Sequence, residues 1–325
     1  MTCAETSNDS TVTKKDSSSP KCPVCEGKSE YHHTVPNWGE QRQCLACGLT
    51  FAHPMTLPEE PTRLFEEAYM GRTKWQHMGA YHKRVLRRDH LEKLQLSPRL
   101  DPDKINALNW IKEHVAPGSY VLDIGCGLGD FLDALRHAGF NPIGLEPSKS
   151  VVEKLRQRGH TAWHGTVNDI PPGKLPEISV CTSFLVLHHV VDPLGFLQSI
   201  RRRFPTSWLL ISEATRWRPR PLDPPRRLTK WNKRSLQVAL DRAGYDAEVI
   251  ELDYGWKDFG LPGSDRLFPL IKNRHLMLLA HWVKPILFAP LALWDLIHGK
   301  HRLAFACAKP VPIRNKNSQE ETKRD

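Results

Sequence analysis

Apolar and polar positions divide the chain into a polar start, a cysteine-bearing segment, a helical stretch and a long run of alternating strands and helices. Over 59–96 the apolar and aromatic residues return at helical spacing, with Tyr69, Trp75, Tyr81 and Leu91 among them, and Ser97-Pro98 ends the run. A second helix is expected over 101–115, capped by Asp101 with Pro102 in its first turn. Pro117-Gly118 separates it from a short apolar strand at Val121-Leu122. A helix is expected to start at Ser148 with Val151, Val152 and Leu155 turned inward. A strand over 179–187 follows, then a helix opened by Asp192-Pro193 and running to Arg203, and a strand over 208–212 with Glu213 at its end. A helix over 235–243 closes at Gly244, and strands over 247–252 and 302–308 complete the pattern. Such alternation specifies an α/β fold, a parallel sheet covered by helices on both faces.

The strongest chemical signal is Tyr120-Val-Leu-Asp-Ile-Gly-Cys-Gly-Leu-Gly-Asp-Phe131. It reads as a buried strand with Asp123 near its carboxyl end, then a turn through Gly125, Gly127 and Gly129, then an amphipathic helix. Glycines let the backbone turn sharply and approach a ligand without a Cβ in the way, and the helix N-terminus presents free N–H groups. The spacing is G-x-G-x-G, and Asp130 stands where the dinucleotide fingerprint wants its third glycine. A carboxylate at Asp123 suits a cationic ligand better than a pyrophosphate. About twenty residues on, Gly144-Leu-Glu146-Pro147 ends a second strand in an acid suited to ribose hydroxyls. A cation at one end and a ribose at the other describe S-adenosylmethionine.

Cys22-Pro-Val-Cys25 and Cys44-Leu-Ala-Cys47 form C-x2-C-x18-C-x2-C, the spacing of a tetrahedral zinc ribbon with four thiolate ligands and a structural role. Residues 1–19 hold no apolar run of signal-peptide type, which argues against disulfides and for a cytoplasmic location. Both that segment and 312–325 read as disordered tails.

Lys and Arg exceed Asp and Glu by ten, which favours acidic partners. The excess concentrates over 215–234, where eight basic residues face the single acid Asp223. Arg226, Arg227 and Trp231 are the candidate acceptor contacts there, arginine being suited to phosphate; a plain solvated basic loop is the competing reading. Methyl transfer is an in-line displacement helped chiefly by alignment, and an oxygen or carbon acceptor also needs a base. His188 and His189, at the end of a strand, are placed for that role, against the plainer reading that they hold backbone. Between the last two strands lies an apolar insert, 262–300. Its greasiest part, 276–297, is interrupted by His281, Lys284, Pro285, Pro290 and Asp295, so it is not read as a membrane span. A core hairpin, a lid or a peripheral membrane contact stay open.

Residues 118–214 resemble class I S-adenosylmethionine-dependent methyltransferases, and the whole chain resembles their bacterial subset with an N-terminal zinc ribbon. The resemblance rests on four runs in order: Val121 to Gly129, Gly144 to Pro147, Leu187-His-His-Val-Val-Asp-Pro193, and Pro224 to Trp231 with Ser235 to Gly244. It implies a seven-stranded, mostly parallel Rossmann-like sheet in the order 3-2-1-4-5-7-6, with the last strand antiparallel. It also implies a ribbon over 20–55, a helical cap over 56–100 and a catalytic domain over 101–311. In the adenine-binding loop the family's Gly-Asp is here Gly165-Thr166, so Thr166 and Val167 become the expected adenine contacts, and the family's Phe-Asp before the fourth strand is Ile178-Ser179. The implied activity is methyl transfer from S-adenosylmethionine to a small-molecule, sugar- or lipid-linked acceptor of acidic character. Deoxysugar C-methyltransferases share the ribbon but carry a further large C-terminal domain. An RNA methyltransferase fits the basic charge, and a non-catalytic protein of the same fold fits the missing acids.

Overall fold

The computed structural model describes residues 19–95, 100–216, 222–254 and 301–312. Its first sheet begins with three short strands, β1 (Ser29–Val35), β2 (Gly39–Cys44) and β3 (Thr50–His53). Two helices follow, α1 (Pro61–Tyr69) and α2 (Gly79–Lys93), in place of the single helical run expected over 59–96. Gly71, at a φ of +72°, turns the chain between them, a conformation that ends α-helical winding.

The main sheet starts after α3 (Pro102–His114). It is built from β4 (Tyr120–Ile124), α4 (Asp130–His137), β5 (Asn141–Glu146), α5 (Lys149–Gln157), β6 (Thr161–His164), β7 (Ile178–Phe184), α6 (Pro193–Arg203) and β8 (Trp208–Arg216). After a short strand β9 (Thr229–Lys230) come α7 (Lys233–Arg242), β10 (Tyr245–Tyr254) and β11 (His301–Pro310). The seven strands lie in the order β6-β5-β4-β7-β8-β11-β10. β4 pairs in parallel with β5 and β7, and β11 runs antiparallel to both β8 and β10. This is the 3-2-1-4-5-7-6 order implied by the family resemblance. Strand order reverses around β4, and open α/β sheets bind ligands at such a switch point, here beyond the carboxyl ends of β4, β5 and β7.

Asp101 stands at the N-cap of α3 as expected, but its side chain makes no capping hydrogen bond. Side chains do cap α5 and α6. Ser148 caps α5 by accepting from the Val151 N–H, and Asp192 caps α6 by accepting from the Gly195 N–H, with Pro193 in the first turn. Val151, Val152 and Leu155 are buried, as the spacing required. β8 continues past Ser212 because β11 supplies a partner beyond it, pairing Ala304 with Glu213 and Leu303 with Ala214. Glu213 therefore lies inside a strand, not at its end.

The first sheet holds a surprise. Its order is β1-β2-β3-β9, so its fourth strand comes from the basic segment some 180 residues downstream. The Ala52 N–H donates to the Leu228 carbonyl at 2.8 Å, the Leu222 N–H to Gln41 Oε1 at 2.9 Å, and Asn232 Nδ2 to the Gly48 carbonyl at 2.8 Å. Cys22, Val24, Leu49 and Phe51 share one continuous core with Leu236, Ala239 and the face of the main sheet. Among the described residues no helix is long and apolar enough to cross a membrane. The expected insert over 262–300 lies outside the described residues, as do 217–221 and nearly all of both tails.

Candidate active site

Beyond β4 the three glycines take positive φ, +75° at Gly125, +52° at Gly127 and +80° at Gly129. A Cβ at Gly125 would lie 2.6 Å from Val186 Cγ2, and one at Gly129 would run into Leu155 Cδ2. The loop is thus both conformationally restricted to glycine and pressed against its neighbours.

Two buried acids flank it. Asp123, 3% exposed, accepts a hydrogen bond from Thr182 Oγ1 at 2.7 Å. Burial raises its pKa to about 6, against the pull of Thr182 and Lys104. Glu146, also 3% exposed, accepts from the Gly127 N–H at 3.0 Å and from the Ser148 N–H at 3.2 Å. Burial raises its pKa to about 7. A carboxylate that has lost its water binds a cation or a hydroxyl more strongly than one in solvent. Pro147 is half-buried beside Glu146, and its carbonyl faces His164 Nε2 at 3.1 Å.

At the end of β6, Val167 is buried in the core, and Thr166 is partly exposed. The Thr166 N–H and Oγ1 each donate to Asp169 Oδ2 at 2.7 Å. The loop's acid is therefore Asp169, three residues later than the family pattern places it, and the Thr166 bonds hold its carboxyl below the usual carboxylate range. Reading the loop strictly by alignment of Gly165-Thr166 missed it. Thr182 and Lys104, which bear on Asp123 from β7 and α3, were also missed; nothing in their local sequence marks them.

The helical cap closes over this loop. Glu66 on α1 accepts from Ser148 Oγ at 2.7 Å, from the Ser150 N–H at 2.9 Å and from Ser150 Oγ at 3.0 Å. Burial opposes ionisation of Glu66, but these bonds hold it below its ordinary value. Arg88 on α2 reaches Asp130 at 2.6 Å and Asp133 at 2.7 Å, tying the cap to the first turn of α4. Asp130 thus serves the cap in the place where a dinucleotide loop would have glycine. Tyr69 packs by the loop: a Cβ on Gly127 would lie 3.3 Å from its hydroxyl oxygen. Phe65, Tyr69, Tyr81 and His189 form an edge-to-face aromatic cluster with ring centroids 5.1 to 5.6 Å apart.

His188 and His189 lie in a single 3₁₀ turn, Leu187–His189, beyond β7. His188 Nδ1 is 2.7 Å from Glu213 Oε2. His189 Nε2 is 2.9 Å from the Tyr81 hydroxyl, and its Nδ1 meets the Arg226 carbonyl. Burial drives both imidazole pKa values well below 6.5; Arg84, Arg226 and Arg227 add to this at His188, and His188, Arg226 and Arg84 at His189. Burial raises the Glu213 carboxyl to about 8. Arg226 and Arg227 are partly exposed and share Asp223, at 3.7 and 3.0 Å. Trp231 stands elsewhere than expected. It is 2% exposed, with Nε1 donating to Thr229 Oγ1 at 2.9 Å, and it sits in the core beneath the ribbon. Pairing of Thr229–Lys230 with β3 turns its ring inward, so it offers no face to an acceptor.

On the far side of that joint, the sulfur atoms of Cys22, Cys25, Cys44 and Cys47 all lie within 4.8 Å of one another. Cys25 and Cys44 are 3.4 Å apart, and Cys22 and Cys47 3.7 Å. A tetrahedral zinc site with Zn–S bonds of about 2.3 Å has sulfur–sulfur edges of about 3.8 Å, so the donor set fits such an ion. The Val24 and Cys47 N–H groups point at Cys22 Sγ and Cys44 Sγ, the outer-shell support that thiolate ligands take.

A family model for a methyltransferase domain matches residues 82–250, more than half of the chain, and the chain belongs to that family. A tRNA U34 carboxymethyltransferase of Colwellia psychrerythraea is 30% identical over 111 residues, which are 32% of this chain and 34% of that protein. A ubiquinone biosynthesis O-methyltransferase of Hahella chejuensis is 26% identical over 102 residues, 29% of this chain and 43% of that protein. The chain thus spans roughly a third to two fifths of the curated relatives it matches. A solved phosphoethanolamine N-methyltransferase 2 of Haemonchus contortus, in complex with phosphomonomethylethanolamine and S-adenosylhomocysteine, superposes with a TM-score of 0.52 at 15% identity. That match covers 76% of this chain and 60% of the other, and it shows the shared fold.

Proposed function

We propose that this chain transfers a methyl group from S-adenosylmethionine to a small-molecule, sugar- or lipid-linked acceptor that carries an anionic group, in the cytoplasm. The observation that supports this best is the pair of buried acids, Asp123 and Glu146, set on either side of a loop of three left-handed glycines. Bound there, S-adenosylmethionine supplies a methyl group already activated on a sulfonium. Asp123 answers the positive methionine end, Glu146 the ribose hydroxyls, and Gly125 to Gly129 give the close approach. Thr166 flanks the adenine, with Asp169 fixing that turn and Val167 packed in the core beneath it. The chain's task is then alignment, with proton removal where the accepting atom bears one.

The anionic acceptor is supported by Arg84, Arg226 and Arg227, whose charges converge on His188 and His189. A structural zinc on the four thiols fixes the segment that carries two of these arginines. Radiolabelled methyl transfer to lipid, RNA, protein and small-metabolite fractions of a lysate tests the reading. Label in an acidic lipid or small-molecule fraction is the expected result, lowered in Arg226→Ala/Arg227→Ala through a raised acceptor KM. Label confined to RNA or protein overturns the acceptor class. Donor binding without any label makes this a binding protein.

A further inference from the structure

We propose that His188 and Glu213 act as a carboxylate–imidazole pair in which His188 Nε2 takes the acceptor's proton, and that His189 is a structural residue. The inference rests on the methyl-transfer reading above and names which residues of that site move the proton.

The two histidines differ in what their nitrogens touch. The Arg226 carbonyl can only accept, so His189 Nδ1 carries a hydrogen, and its Nε2 lone pair receives the Tyr81 hydroxyl at 2.9 Å. Both nitrogens of His189 are spent on joining the 222–232 segment to α2. His188 uses only Nδ1, 2.7 Å from Glu213 Oε2, and its Nε2 has no protein partner among the described residues. Its side chain is 14% exposed, whereas Glu213 is 1% exposed behind it. An open Nε2 in front and a buried carboxylate behind is the arrangement of a positioned general base. The backbone holds the ring as well: the Leu228 N–H donates to the His188 carbonyl at 2.8 Å.

The proton balance is simple. As the acceptor's O–H or C–H bond breaks, its electron pair forms the bond to the methyl carbon. The C–S pair stays on sulfur, which becomes a neutral thioether. The proton goes to His188 Nε2, and ionised Glu213 stabilises the imidazolium through Nδ1–H. The charged and titratable groups facing His188 are Glu213 from β8, His189 from its own turn, Arg226 and Arg227 from the 222–232 segment and Arg84 from α2. The three guanidinium groups oppose the imidazolium, and among the described residues Glu213 favours it. Burial raises Glu213 to about 8, so the form with ionised Glu213 and a bare His188 Nε2 grows as pH rises toward and past that value.

The test combines calorimetry with S-adenosylmethionine, nitrogen-15 NMR of the imidazoles, and methyl-transfer rates on the fraction that accepts label. In the unaltered chain at pH 9, the His188 ring should show hydrogen on Nδ1 alone, and Glu213→Gln should abolish that preference. His188→Gln should lower kcat by roughly 10²- to 10⁴-fold, the range general-base loss gives, with donor binding unchanged. Glu213→Gln should remove the alkaline-going rise in rate, and Glu213→Asp should restore part of it. A His188→Gln variant that keeps the normal rate, or a His188 ring with hydrogen on Nε2 at pH 9, overturns the assignment. Absence of donor binding in the unaltered chain instead defeats the methyl-transfer reading, and with it the base.

Discussion

The two sides of the site are made in opposite ways. The side proposed for the cofactor is local: Asp123, the three glycines and Glu146 fall within 24 consecutive residues, and one strand–turn–helix–strand passage puts them together. The side proposed for the acceptor is assembled from afar. Tyr81, His188–His189, Glu213, Arg226–Arg227 and the ribbon come from five separate stretches, held by strand β9, the Leu228 N–H and the Tyr81–His189–Arg226 chain of contacts. A local site tolerates damage elsewhere in the molecule, and an assembled one inherits the stability of everything that holds it. The ribbon is thus more than an appendage, because its third strand is the template on which the basic segment lies.

The largest effect that separates the two sides should come from the thiols. Replacing Cys22 and Cys44 by Ser removes two of the four converging thiols and, with them, the proposed zinc site. Hydrogen exchange should then accelerate throughout 20–55 and 222–236, while amides over 120–165 stay protected. Equal loss of protection on both sides would erase the distinction drawn here.

Trp231→Ala should come next. It empties a fully buried aromatic site in the shared core, at a cost of about 3–5 kcal/mol, read as a lowered denaturation midpoint. Donor affinity of the folded fraction should be little changed, since the ring lies on the other side of the joint. Gly125→Ala gives the reverse result. Its φ of +75° and the stiff Val186 side chain 2.6 Å away make any Cβ costly, about 1–3 kcal/mol locally, and donor binding should weaken by the corresponding factor, roughly 5- to 150-fold.

The smallest effect is one of pH. Asp123 and Glu146 titrate near 6 and 7 in the folded chain, above their ordinary 3.8 and 4.5. The folded state therefore holds protons that the unfolded chain has released. The stability these two groups contribute is full below about pH 4 and is lost as pH rises through 6 and 7. Thermal midpoints between pH 5 and 8 should show this decline, and Asp123→Asn should flatten the part near 6. Donor binding should strengthen over the same interval, because a sulfonium prefers the ionised acid.

Legibility in the sequence follows the same division. Most strands and helices, the glycine loop and both flanking acids were readable because each is encoded within a few neighbouring positions, by apolar runs, glycines and caps; the strand order came from the family resemblance. The four cysteines were readable by spacing alone. Strand β9 was not, because Thr229–Lys230 is too short to carry a period and owes its extended form to β3. Trp231 was misplaced for that reason: one face of a two-residue strand decides whether the ring points to solvent or core. The continuation of β8 through Glu213 depends on β11, ninety residues later, so its burial behind His188 had no local signal. Asp169 escaped because the turn after Gly165 shifts the acid by three positions.

The most direct measurement is calorimetric titration of the intact chain with S-adenosylmethionine, set beside Asp123→Asn and Glu146→Gln. Saturable one-to-one binding by the chain, reduced at least tenfold in each variant while the fold is kept, is the result predicted. No binding by the chain, or equal binding by all three proteins, would contradict the assignment of the two buried acids.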